Sequence, residues 1–274
     1  MSKADPRVVA AVMAQVHAAL TETGRRPVVI GLCGAQGSGK TTLARAVLAA
    51  CSDESLRAAM LSIDDLYLTR AERQALAQDV HPLLATRGVP GTHDVALGLS
   101  VIDTLERGQG TRLPRFDKAR DDRAPESEWP LAPRACEVLL FEGWCVGARA
   151  QSAEHLAQPV NALEAREDAD AVWRSYANTA LAGPYQSLFA RIDRLILLAA
   201  PGFDVVYGWR LEQERDLAEH AAPADRVMDE AAIARFIAHY ERLTCHILGE
   251  MPGRADLVVQ LDARRCPVEI RRLR

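Results

Sequence analysis

The chain is 274 residues long and 49% hydrophobic, enough for one α/β domain with a sizeable core. A net charge of −4 excludes a general polyanion-binding surface, so nucleic acid is not an expected partner. No apolar run approaches the roughly 18–20 residues that cross a membrane, and Asp5–Thr23 lacks the unbroken apolar stretch of a signal peptide.

Cysteines at Cys33, Cys51, Cys136, Cys145, Cys245 and Cys266 form no C-x-x-C pair and no Cys/His ligand spacing. Buried free thiols in a reducing cytosol are the economical reading, so a cytoplasmic protein is expected. Lysine is rare, at Lys3, Lys40 and Lys118 only. Arginine cannot replace it where a compact ammonium is needed, which draws attention to Lys40 and Lys118.

Asp5–Thr23 has apolar residues at Val8, Val9, Val12, Val16 and Leu20, a helical spacing, with Asp5 as N-cap and Gly24 as stop. Val28–Leu48 then reads as strand, glycine-rich loop and helix. Gly34, Ala35, Gln36, Gly37, Ser38, Gly39, Lys40 and Thr41 fit G-x-x-x-x-G-K-[ST], with Thr42 next. Glycines let backbone N–H groups close around phosphate oxygens, and the following helix turns its free amides toward the anion. Lys40 would reach the β/γ-phosphates and the Thr41 hydroxyl would ligate Mg²⁺, so ATP and Mg²⁺ are the expected cofactors.

A second buried strand, 59–63, ends in Asp64 and Asp65. Functional groups gather at the carboxyl ends of parallel strands. A phosphoryl acceptor needs a base and Mg²⁺ needs carboxylate support, so at least one of the pair belongs to the site; which one is the base stays open. His81–Asp94 is a Pro/Gly loop ending in a helix N-cap at Asp94. Leu113–Arg123 is dense in both charges. It is either a solvated loop or a clamp for an anionic acceptor, with Asp117, Lys118 and Arg123 in or near the pocket. Val138–Phe141 is a third strand ending in Glu142, placed to hold Mg²⁺ beside the loop. Ala162–Leu181 reads as one helix stopped by Gly183-Pro184. Leu195–Ala199 and Asp256–Asp262 complete the strands. In Pro201–Arg215, Arg210 and Glu214 stand at i, i+4. They are either a plain helix pair or part of a lid that brings Arg210 to the γ-phosphate.

Five strands near 28–32, 59–63, 138–142, 194–199 and 256–261, separated by helices, predict a three-layer α/β P-loop fold with a five-stranded parallel sheet. We read residues 1–274 as a single domain. Residues 1–24 form an N-terminal helix, 66–130 and 144–190 the acceptor pocket and cap, and 202–220 the lid.

The P-loop followed by SIDDLYL resembles the small-molecule kinases of the phosphoribulokinase, uridine kinase and pantothenate kinase group. GAQGSGKTT, SIDDLYL, RGVPGTHD, PRFDK, EGW and WRLEQE, in that order across Gly31–Leu248, resemble the D-glycerate 3-kinase branch. The resemblance implies transfer of phosphate from ATP to D-glycerate. Asp64 would be the base, with Asp65 the alternative and also Asp64 near the metal. Arg87, Thr92 and His93 would face the acceptor. A loop histidine that only fixes the turn is the other reading of His93. Two other functions stay open: a kinase for pantothenate, a nucleoside or another sugar acid, and a nucleotide-binding regulator or ATPase without a small acceptor.

Overall fold

Alternation inside the apolar runs decides the architecture. The computed structural model describes residues 4–220 and 229–273; residues 1–3 of the expected N-terminal segment, and 221–228 and 274 of the expected domain, lie outside them. The strands are β1 (Val28–Gly34), β2 (Ala58–Ser62), β3 (Phe116–Asp117), β4 (Asp122–Arg123), β5 (Val138–Gly143), β6 (Arg194–Ala199), β7 (Leu257–Leu261) and β8 (Pro267–Arg272). The main sheet has the order β2-β5-β1-β6-β7-β8, with β3 and β4 forming a separate small hairpin. Pairings from β2 to β7 are parallel.

The helices are α1 (Pro6–Glu22), α2 (Lys40–Asp53), α3 (Arg70–Asp79), α4 (Val95–Glu106), α5 (Ala153–Leu156), α6 (Ala162–Glu167), α7 (Val172–Ala182), α8 (Pro184–Phe189), α9 (Asp204–His220) and α10 (Glu230–Glu250). Val28, Ile30 and Leu32 of β1 join one core layer with α1 and α2, while Val29 and Cys33 join the opposite layer with α4, α8 and α10. A central strand covered on both faces has to be apolar throughout, which is why the run was legible.

Three expectations change. The sheet has a sixth strand, β8, antiparallel to β7. It begins at Pro267, which an edge strand tolerates, and Val268 faces outward at 62% exposure. The second strand ends at Ser62, and Ile63–Leu66 forms a 3-10 turn in which the Ser62 side chain caps the Asp64 amide. The helix expected over 162–181 is broken. Asp168 accepts hydrogen bonds from the Trp173 and Arg174 amides, and Ala171 adopts a left-handed φ of 61°. A side chain that satisfies the free N–H groups of a new helix start competes with continuing the old one.

Candidate active site

The loop after β1 leads into α2 through Gly39, which is left-handed at φ 87° and gives no side-chain cap. The first amides of α2 are therefore left for an anion. Gly37 has φ +77°, and a Cβ there would stand 2.6 Å from the Trp209 Cβ. The P-loop is thus packed directly under α9. Trp209 is buried and donates from its indole to the Ala263 carbonyl at 2.8 Å. Ala35 shares an apolar cluster with Val206, Ile233 and Ile237, fastening α9 and α10 to the loop.

Lys40 and Thr41 open α2, with Thr42 following. The Thr41 hydroxyl donates to Glu142 Oε1 at 3.0 Å, joining the loop to the end of β5. Glu142 is buried, and its Oε2 has no partner among the described residues; the same is true of Ser38 Oγ and Gln36 Oε1. Among the described residues no cluster of three or more acidic, His or Cys side chains could hold a metal by itself.

Asp64 and Asp65 diverge. Asp64 accepts from Lys118 Nζ at 2.9 Å and from the Tyr67 hydroxyl at 2.8 Å. Burial works to raise its pKa, but Lys118 and Lys40 outweigh it and hold the carboxyl well below the usual carboxylate range. The Lys118 ammonium is raised in turn, chiefly by Asp64. Asp64 is thus engaged with Lys118 and Tyr67, while the Thr41–Glu142 contact stands without it. Asp65 points to the hairpin. Its oxygens take the Phe116 amide and the Arg115 guanidinium, each at 3.1 Å. Burial pushes its pKa up to about 6, against the opposing pull of Arg115. Its bonds anchor β3 to the end of β2.

The His81–Asp94 loop is zipped to the segment after β2 through the Leu68 amide, which donates to the Thr92 carbonyl at 2.9 Å, and through a bridge between Tyr67 and His93. Thr92 turns inward instead of facing a pocket: its hydroxyl donates to the Val89 carbonyl and accepts from the Gly88 amide. Asp117 is likewise spent on the hairpin turn, accepting from the Ala119 and Arg120 amides. Arg123 donates to Asp94 at 3.1 Å and to the Tyr67 carbonyl at 3.2 Å, and so braces the start of α4. Arg87 pairs with Asp121 and lies 5.5 Å above the Phe116 ring. Arg210 pairs with Glu214 and stacks 5.5 Å from the centre of Phe236.

His93 is buried, with its ring stacked 4.7 Å from Tyr67. Burial pushes its pKa down to about 4 although Asp64 acts to raise it. Its Nδ1 lies 2.6 Å from the Tyr185 hydroxyl, and its Nε2 has no partner among the described residues. The structure thus brings Lys40, Asp64, Lys118, Tyr67 and His93 together at the sheet's carboxyl edge.

Sequence reasoning missed four supports of this site. Tyr67 bonds Asp64, and Tyr185 bonds His93. Tyr240 donates to the Arg87 carbonyl and packs edge-on against Trp144. Arg73, 1% exposed, donates to the Leu68, Ala85 and Asp121 carbonyls and pairs with Asp121. A signal existed for Tyr67 in SIDDLYL; the Tyr185–His93, Tyr240–Arg87 and Arg73–Asp121 contacts act over separations that no local pattern carries.

Residues 29–158 match the phosphoribulokinase/uridine kinase family. The kinase mug58 of Schizosaccharomyces pombe is 33% identical over 263 residues, covering 89% of this chain and 91% of its own. The chain belongs to this family of P-loop kinases. The chloroplastic D-glycerate 3-kinase of Arabidopsis thaliana is 29% identical over 259 residues; this kinase spans 54% of that protein's length. A solved D-glycerate 3-kinase from Cryptococcus neoformans superposes with a TM-score of 0.79 over 97% of this chain and 98% of its own, at 24% identity, a likeness of fold. The kinase is accordingly a phosphotransferase with an alcohol group as acceptor, working on a nucleotide donor through the P-loop. Among the described residues no helix is long and apolar enough to cross a membrane.

Proposed function

We propose that this kinase transfers the γ-phosphoryl group of ATP to D-glycerate, giving 3-phosphoglycerate. The observation that carries the reading is the Asp64–Lys118 pair, a carboxylate at the end of β2 with an ammonium 2.9 Å away on the hairpin. A proton acceptor next to a movable cation suits a hydroxyl whose own molecule bears a carboxylate. The Arabidopsis D-glycerate 3-kinase, 29% identical across 88% of this chain, supports the same acceptor.

The P-loop amides and Lys40 hold the β/γ-phosphates. Thr41 Oγ1 and the unpartnered Glu142 Oε2 fit Mg²⁺, which takes few protein oxygens and keeps several waters. When bound it neutralises charge developing on the phosphate oxygens. Lys118 is 60% exposed on its side chain, free to swing from Asp64 to the acceptor carboxylate. That swing leaves Asp64 as the base for the hydroxyl proton. Arg210 exchanges Glu214 for the γ-phosphate, and Arg87, His93 and Arg123 shape the acceptor side.

The test is coupled ADP release with ATP and Mg²⁺ against D-glycerate, L-glycerate, pantothenate, uridine and ribulose 5-phosphate. D-glycerate alone is expected to turn over, and Asp64→Asn to lose about 10²–10⁴ in kcat. Preference for another acceptor, or ADP release indifferent to all of them, overturns the assignment.

A further inference from the structure

The bond between Tyr185 and His93 has a direction that its surroundings decide. The Tyr185 hydroxyl accepts the Gly91 amide at 2.9 Å and lies 2.6 Å from His93 Nδ1. Both side chains are buried. In one arrangement the hydroxyl donates to Nδ1, the imidazole proton sits on Nε2, and a single group, Nε2–H, is left unpaired. In the other, Nδ1–H donates to the hydroxyl. The phenolic proton is then stranded and Nε2 is left as an unpaired acceptor. A buried unmade hydrogen bond is costly, so the arrangement with one such group is favoured over the arrangement with two. Burial keeps the ring neutral by pushing its pKa down to about 4, so the doubly protonated form does not compete near neutrality.

We propose that Tyr185 is a positioning residue that holds His93 in the Nε2–H tautomer, and that this N–H donates to an oxygen of the acceptor substrate. The second half rests on the acceptor-pocket reading above. His93 is stacked on Tyr67, whose hydroxyl binds Asp64, so the ring is fixed in the same aromatic wall as the base. An unpaired donor there selects an acceptor with an oxygen lone pair. It recognises that oxygen as a dipole, leaving charge pairing to Lys118. The Gly91 amide fixes the direction of the relay, because it fills one of the hydroxyl's lone pairs and turns its proton toward His93.

The test is two-bond ¹H–¹⁵N correlation on protein labelled at histidine, with the His93 signals assigned by their loss in His93→Gln. The free enzyme is expected to show a pyrrole-type Nε2 and a pyridine-type Nδ1. Adding ADP with D-glycerate should move the Nε2 signal. Tyr185→Phe should give mixed tautomers and raise the KM for the acceptor about 5–10-fold with kcat changed less than about twofold, the scale of one neutral hydrogen bond. In His93→Gln the amide carries its own N–H donor, so adding Tyr185→Phe should cost little more. An Nδ1–H tautomer in the wild-type spectrum overturns the proposal without any variant having to fold. So does Tyr185→Phe with tautomer and KM unmoved. If D-glycerate is not turned over, the acceptor assignment fails. The tautomer is still read in the free enzyme, and the Nε2 shift is read with whichever panel acceptor does react. No shift with that acceptor refutes the substrate contact.

Discussion

His93 and Asp65 give this kinase opposing pH dependences that nearly cancel, and separating them tests the burial of both. His93 titrates near 6.5 unfolded and is pushed down to about 4 by burial. Between those values the unfolded chain binds the extra proton, so this contribution is fully present above pH 6.5 and is lost as pH falls toward 4. At about 1.4 kcal/mol per unit the full span is worth ~3 kcal/mol. Asp65 runs the other way, from 3.8 unfolded up to about 6 folded, again mainly through burial. The folded state holds the proton longer, so its contribution is present below pH 3.8 and declines as pH rises through 6, also by ~3 kcal/mol. The assay is urea unfolding at half-unit steps from pH 4 to 7.5. Other titrating groups cancel when each variant is subtracted from wild type. The difference between wild type and His93→Gln should grow in favour of wild type by ~3 kcal/mol on going up from pH 4 to 6.5. The difference between wild type and Asp65→Asn should move by a similar amount in the opposite sense. Parallel curves for either variant would mean that the side chain is solvated in the folded protein, and the packing described around it would be refuted.

Lys118→Met should raise the KM for the acceptor at least tenfold while leaving the KM for ATP within about twofold, because the removed charge faces Asp64 and, on the proposed reading, the acceptor. Equal damage to both constants would place Lys118 on the nucleotide side. Glu142→Gln should raise the Mg²⁺ concentration giving half-maximal rate about 10–100-fold, as losses around a metal commonly do, read by Mg²⁺ titration at fixed ATP. Between α6 and α10, Glu164 takes Arg242 Nε at 2.7 Å and a terminal nitrogen at 2.6 Å, with both side chains buried. Glu164→Gln leaves the buried charge of that guanidinium without its counter-ion at a cost of about 3–5 kcal/mol, and for a chain of this size the melting temperature should drop by roughly 6–20 °C. A drop under about 2 °C in calorimetry would show that the pair is replaceable.

The parts legible in the sequence are those whose physics is local. An apolar run followed by glycines, Lys40 and Thr41 specifies strand, anion cradle and helix within fourteen residues or so, and all of it lies on contiguous chain. The five parallel strands were readable because both faces of the sheet are covered there. β8 was not, because an edge strand with one wet face needs only partial apolar content, and Glu269, Arg271 and Arg272 hide its alternation. The break at Asp168 turns on whether one carboxylate caps the amides of Trp173 and Arg174, which helical periodicity does not report. Tyr185 was bound to be missed as a partner of His93, since the bond spans 92 residues.

Adjacent charged residues posed a different difficulty, and the structure resolves it the same way twice. By residue type alone Asp64 and Asp65 were both candidates, as were Asp117 and Lys118. In an extended or tightly turned backbone, neighbouring side chains leave in different directions, so one member of each pair can face a site while the other faces the scaffold. Asp64 and Lys118 meet each other, whereas Asp65 holds the Phe116 amide and Asp117 closes the turn that carries Lys118. The second member of each pair therefore fixes the position of the first. Asp65 fastens the hairpin to the end of β2, and Asp117 shapes the turn from which Lys118 reaches back. Asp65→Asn keeps an acceptor for the Phe116 amide but weakens the hold on Arg115, loosening the hairpin and with it the Asp64–Lys118 contact. Its kinetic signature should thus resemble a milder Lys118→Met, a raised acceptor KM with ATP binding intact, and not the loss of kcat expected of Asp64→Asn.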